Sequence, residues 1–125
     1  MKLGASSLEK LRGVHPDLVR VIKKSAEIST VDFMVVEGLR TMERQMKLKA
    51  AGASTILNSR HITGHAVDIV PMLDGQARWD WPMFHRLAPF VLKAAKQVGV
   101  RVEWGGLWTR FPDGPHWQLP RRTYK

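Results

Sequence analysis

From Pro16 onward, Leu18, Val19, Ile22, Ala26 and Ile28 recur at helical spacing, with Arg20, Lys23 and Lys24 turned the other way. The pattern predicts an amphipathic helix opening at Pro16, where a missing N–H costs nothing. Ahead of it, Ser6 followed three residues later by Glu9 has the form of a capping box and predicts a short helix over 6–12. Phe33-Met34-Val35-Val36-Glu37, closed by Gly38, reads as a strand. Thr41 is placed to cap a third helix from Met42 to Ala51, ended by Gly52. Residues 53–63 read as a loop, 66–70 as an apolar strand stopped by Pro71, and 73–76 as a turn. Phe84, Leu87, Val91, Ala94 and Ala95 form the apolar face of a long helix over 80–97, which Pro89 should kink or divide. Gly99 ends it; 100–104 reads as a strand, 105–115 as a Gly- and Pro-bearing loop, and 116–119 as a short strand before a basic tail. Several connections are too short for parallel crossovers. The expected fold is therefore α+β, a small and mostly antiparallel sheet with helices on one face.

Composition narrows the class. A chain of 125 residues is expected to form one domain, and 44% hydrophobic residues with five Trp exclude intrinsic disorder. The longest apolar runs, such as 33–36, fall far short of the roughly 18–20 residues needed to cross a bilayer. The first residues lead straight into Glu9 and Lys10, without the apolar core of a secretory signal. With no cysteine, disulfides, thiolate metal sites and cysteine nucleophiles are all excluded, so any metal must be held by histidines and carboxylates. The net charge of +9 points to a polyanionic partner: nucleic acid, an anionic cell wall or a membrane surface.

Of the five histidines, His15 at a helix start and His85 on a polar helix face read as structural. His61 lies in the loop before the 66–70 strand, His65 at its edge and His116 in the last strand. Asp68, flanked by Val67, Ile69 and Val70, would be costly to bury without a cation or donors around it. Strand alternation separates Asp68 from Val67 and Ile69, and His116 and Gln118 from Trp117 and Leu119. If the two strands are neighbours, the apolar set packs on the helices while Asp68 and His116 converge on the open face, with His61 entering from the loop. Two imidazoles and a carboxylate leave the fourth position of a catalytic zinc site open. On spacing alone, a chance grouping explains the three residues better than a metal site does.

The stretch Ser59-x-His61-x-x-Gly64-x-Ala66-x-Asp68 resembles, at every fixed position, the signature of the LAS zinc peptidases. That family includes D-alanyl-D-alanine carboxypeptidases, vancomycin-resistance dipeptidases and phage L-alanyl-D-glutamate endolysins. Asp113-Gly114-Pro115-His116 is similar to the family's second motif, and Trp104-Gly105-Gly106 with Glu37-Gly38-Leu39-Arg40-Thr41 resembles the phage endolysin branch. The resemblance implies that His61, Asp68 and His116 are zinc ligands. It implies that Asp113 is the general base and acid, and that Arg40 stabilises the oxyanion. Local readings stand beside these roles: Pro112-Asp113-Gly114 is also a good turn, and Arg40 is within reach of Glu37 or Glu43. Ser59 reads as a brace for the ligand loop, His65 as a bystander and Glu103 as an alternative base. Trp81 and Trp117 read as core, and Trp108 either lines the substrate groove or packs within its loop. Leu107 stands where related phage enzymes often carry Asp, which bears on the order of the loop before Asp113.

Length, and the lack of a visible repeat or linker, lead to the expectation of a single catalytic domain over 1–125 without a separate wall-binding domain; the resemblance implies that it uses zinc to cleave an amide bond of the peptidoglycan stem peptide, with L-Ala–D-Glu ahead of D-Ala–D-Ala. It implies a monomeric phage-type endolysin held in the host cytoplasm until a holin-type partner permeabilises the membrane. The basic surface would then hold the enzyme on an anionic envelope. A non-catalytic binder of nucleic acid or wall polymer is the competing class, motivated by the charge alone.

Overall fold

A five-stranded antiparallel sheet runs through the computed structural model of the chain, which describes residues 1–52 and 59–125. Its order is β1 (Asp32–Glu37), β2 (Ala66–Leu73), β5 (His116–Gln118) and β4 (Glu103–Trp104), while β3 (Gln76–Ala77) folds back on the far end of β2. Four helices accompany it: α1 (Ala5–Lys10), α2 (Pro16–Ile28), α3 (Met42–Ala50) and α4 (Trp81–Val98). The fold is the α+β class the hydrophobic pattern predicts. α2 and α4 pack on one another, and Leu18, Ile22, Leu87 and Val91 join Phe33, Val35, Val67, Ile69, Trp117 and Leu119 in one core. Trp117 also stacks on Trp104 with ring centroids 5.7 Å apart.

Several boundaries differ from expectation, each for a local reason. α1 begins at Ala5 with Gly4 as its N-cap, so Ser6 lies inside the helix; its hydroxyl accepts from Lys10 Nζ while Glu9 pairs with Arg12, and no capping box forms. The neighbouring Ser7 is buried, and its Oγ accepts the Val35 N–H at 3.0 Å, which satisfies a donor on the outer edge of β1. β2 continues through Pro71 to Leu73. Because the Ile69 N–H donates to the Pro115 carbonyl, the missing N–H two residues on faces that same flank, where β5 has already ended, and β1 loses no ladder bond. α4 passes Pro89 as one helix: the carbonyl that Pro89 cannot bond belongs to His85, and both residues are solvent-exposed. Val100 donates to the Ala95 carbonyl beyond a left-handed Gly99, closing the end of α4, so the following strand starts only at Glu103. Trp81 is 41% exposed at the start of α4 and is not a core residue, whereas Trp117 is fully buried as expected. The predicted loop over 53–63 falls partly outside the described residues.

The basic tail is tied down. The Tyr124 hydroxyl donates to Asp17 at 2.6 Å, and the buried Arg60 guanidinium donates to the carbonyls of Leu119 and Tyr124. Arg121 and Arg122 stay exposed between these anchors.

Candidate active site and metal centre

β2 and β5 are neighbours, and their register sets Asp68 directly opposite His116. Val67 and Trp117 face the helices, so Asp68 and His116 meet on the other side of the sheet, as alternation requires. One residue of β1 is extruded between Val35 and Glu37, and this bulge places Glu37, not Val36, opposite Asp68. His61 arrives from the loop before β2. Its Nδ1 lies 2.9 Å from the Gly38 carbonyl, and its own carbonyl accepts the Arg40 N–H, so the two loops clamp each other. The Ser59 hydroxyl accepts the His61 N–H at 3.2 Å, the bracing role read from the sequence. Gly64 turns the chain back into β2 with φ +78°, and a Cβ there would stand 2.5 Å from the Gly13 carbonyl oxygen.

The ligand atoms of His61, Asp68 and His116 lie within 4.8 Å of one another. His61 Nε2 and His116 Nδ1 each lie 3.2 Å from the same oxygen, Asp68 Oδ1. The Gly38 carbonyl can only accept, so the Nδ1 of His61 carries its proton and Nε2 offers a lone pair. The orientation of His116 is set from further away. The Gln118 amide nitrogen donates to Glu103 at 3.1 Å, which turns its Oε1 toward His116 Nε2 at 2.8 Å and leaves His116 Nδ1 as the electron-pair donor. With both rings neutral, two nitrogen lone pairs and a carboxylate oxygen thus point at one another, an arrangement that could hold a metal ion; protonated, the same nitrogens donate to Asp68 instead. Two imidazoles with their outer nitrogens fixed, together with a carboxylate, fit a divalent metal ion.

The same geometry shifts the protonation equilibria. Burial alone would raise the Asp68 carboxyl, but hydrogen bonds and charge from His116 and His61 outweigh it and hold Asp68 far below the ordinary carboxylate range. Burial would lower His116; the Asp68 carboxylate, Gln118 and Asp113 reverse that and raise it above its ordinary value. Asp113 moves the opposite way from Asp68. Burial and the negative charge of Asp68 raise it, against smaller opposing effects of His116, His61 and Arg40. Its Oδ2 lies 4.0 Å from His116 Nδ1, beside the ligand set.

The five residues to which the resemblance gives metal or catalytic roles, His61, Asp68, His116, Asp113 and Arg40, line one cavity of about 730 Å³, together with Glu37, Ser59 and Trp108. Arg40 is buried and held on three sides: Nε and Nη2 grip the two Glu37 oxygens at 2.8 Å each, and Nη1 donates to Gln45 Oε1 at 2.5 Å. Glu37, one of its two sequence-level alternatives, is therefore its partner, and Nη2 also stands 4.0 Å from Asp68 Oδ2. Trp108 sits with its ring centroid 5.0 Å from that of His116, on the groove side of its loop. The loop before Asp113 is ordered through the Gly105 carbonyl, which accepts from both Trp108 and Asp113, and exposed Leu107 takes no part in it. His65 packs with His15 and Tyr124 away from the cavity, and His15 accepts the Asp17 N–H as the N-cap of α2. Glu103 binds Gln118 and lines the adjoining cavity; it does not stand beside the ligands as a base. The supporting roles of Gln118 and Gln45 were not read from the sequence. Gln118 shares the face of His116 by alternation and had a signal; Gln45, in a helix that is otherwise mostly exposed, had none.

Three residues that could hold a metal ion, with a carboxyl of raised proton affinity beside them, match the equipment of a metal-dependent hydrolase. The chain belongs to the phage L-alanyl-D-glutamate peptidase family, whose pattern matches residues 1–122. It is 32% identical over 127 residues to the L-alanyl-D-glutamate peptidase of Escherichia phage T5, covering 98% of this chain and 92% of that protein. The peptidase of the same name from Listeria phage A118 is 33% identical over 119 residues, 95% of this chain but only 41% of that longer protein. The crystal structure of the Serratia marcescens L-Ala D-Glu endopeptidase ChiX aligns with a TM-score of 0.92 at 51% identity, covering 99% of this chain and 93% of that one.

Proposed function

We propose that this peptidase is a zinc-dependent endolysin that hydrolyses the bond between L-alanine and D-glutamate in the peptidoglycan stem peptide and so lyses the bacterial cell. The observation that carries the reading is the meeting of His61, Asp68 and His116 in one cavity with Asp113, a carboxyl whose proton affinity is raised. His61, Asp68 and His116 hold the zinc, each imidazole oriented by its outer hydrogen bond. When bound, zinc supplies Lewis-acid polarisation of the scissile carbonyl and a lowered pKa for water. Asp113 takes the proton of the attacking water and returns it to the leaving amine; a raised pKa suits a group that must carry a proton in both directions. Arg40, fixed by Glu37 and Gln45, keeps one N–H on each terminal nitrogen uncommitted by those bonds and presents positive charge where the oxyanion develops.

Among the described residues no helix is long and apolar enough to cross a membrane. In this reading the enzyme acts as a monomeric catalytic domain, waits in the host cytoplasm and reaches the wall once a holin-type partner has permeabilised the membrane. Its basic surface holds it on the anionic envelope.

The test is digestion of muropeptides with mass-spectrometric assignment of the cut, alongside zinc stoichiometry. Wild type is expected to bind one zinc and separate alanine from glutamate. Asp113→Asn should retain zinc while losing about 10²–10⁴ in kcat, and His116→Ala should lose zinc and activity together. Cleavage between two D-alanines, or wall lysis that survives complete chelation, would overturn the reading.

A further inference from the structure

Beside the active-site cavity lies a second one, of about 590 Å³, walled in part by Arg101, Arg121 and Arg122. We infer that it is an anion-binding extension of the substrate cleft, taking a carboxylate of an acidic peptide chain that continues on the glutamate side of the scissile bond. The inference rests on the peptidase reading above and adds to it a subsite and the charge of what occupies it.

Continuity is the first ground. Gln118 and Arg121 line both cavities, so the second cavity adjoins the first next to His116 and within reach of a chain that leaves the ligand cluster there. The second ground is charge that the fold has not neutralised. Arg12, Arg20, Arg40, Arg44 and Arg78 each hold a carboxylate of this chain, whereas Arg101 and Arg122 hold none among the described residues. Both are exposed, and the single acid lining their cavity, Glu103, is engaged by the Gln118 amide. Guanidinium groups gathered at a concave surface raise the local concentration of anions and pair with carboxylates in a forked geometry.

The substrate's chemistry supplies the third ground. A glutamate joined to its neighbours through its amine and one carboxyl keeps the other carboxyl ionised, so the leaving side of the bond is the anionic side. Arg110, which lines the active-site cavity with Asp113, continues the same positive lining. A pocket of this volume has room for a further residue or two of peptide.

The experiment compares two synthetic peptides containing L-Ala–D-Glu, extended on the glutamate side by Glu in one and by the isosteric Gln in the other, so that they differ by one carboxylate beyond the one both carry on the scissile glutamate. Zinc-loaded wild type should cleave both with similar kcat and show about tenfold lower KM for the Glu-extended peptide, the size of one charge-assisted contact. Arg101→Gln/Arg122→Gln should erase that preference by raising KM for the Glu-extended peptide to that of the Gln-extended one, with kcat for both retained, which also shows the variant is folded. Lys23→Gln/Lys93→Gln removes the same charge from exposed positions on α2 and α4 and should keep the preference. A preference that survives the arginine changes, or one lost equally with the lysines, overturns the subsite while leaving the peptidase reading intact. Failure of wild type to cut either peptide between alanine and glutamate overturns both.

Discussion

Whether an imidazole can serve as a metal ligand is decided on its far side. His116 faces Asp68 with Nδ1 only because Gln118 accepts at Nε2, and Gln118 presents its oxygen only because Glu103 takes its amide N–H. Gln118→Ala is therefore expected to weaken zinc binding about 10- to 100-fold, measured by competition with a chelator. An unchanged affinity in Gln118→Ala would show that β5 alone positions the ring. The second buried charge pair makes a pH prediction. Burial would raise Glu37, but the Arg40 guanidinium outweighs it and holds the carboxyl below its ordinary value of 4.5. A depressed carboxylate contributes stability that is fully present above the unfolded-state pKa and is lost as pH falls through the folded one. The stability difference between wild type and Glu37→Gln should accordingly be largest above pH 4.5 and shrink below it, in thermal melts of the metal-free protein. A gap that stays constant through acid would mean the pair is not coupled to folding.

At the scale of elements, the period-two pattern of β2 and β5 was enough to put Asp68 and His116 on one face and Val67, Ile69, Trp117 and Leu119 in the core. The stripe on α2 was equally plain, because a helix half-buried against a sheet must repeat its apolar residues at 3.6. Features set by a single hydrogen bond across the fold were not legible. Nothing local marks the bulge that turns Glu37 toward Asp68, the flank on which Pro71 needs no donor, or the use of Val100 to close α4. The ligand loop lies between these cases: its glycine was visible in the motif, but the reason for it is tertiary. Gly64 has a left-handed φ, its carbonyl accepts the His15 N–H at 2.8 Å, and any Cβ would press on the Gly13 backbone. Gly64→Ala is expected to cost at least about 2 kcal/mol, combining a strained φ with a backbone displacement, and to loosen His61. Denaturant unfolding measures the first effect and zinc affinity the second. A variant as stable as wild type would show that the turn relaxes freely.

Across the whole molecule, the net charge of +9 is compatible on its own with nucleic acid, membrane or wall, and membership of a peptidase family selects among them. The active-site cavity is lined by Arg40, Arg60, Arg110 and Arg121, so the molecule's positive field is present at the site as well as over the exterior. Attraction to a polyanionic wall acts over distance and is screened by salt, whereas contacts inside the cavity are short and partly buried. The two contributions should therefore separate as ionic strength rises. Between about 0.1 M and about 1 M salt the Debye length falls from about 10 Å to about 3 Å, and lysis of whole walls should slow several-fold over that range. Hydrolysis of a short soluble peptide containing L-Ala–D-Glu should change far less, because in the proposed mechanism its rate rests on short contacts at the site and not on capture by a polyanionic wall. If both rates fell together, salt would be acting on the site itself. If neither fell, the surplus charge would play no part in bringing the enzyme to the wall.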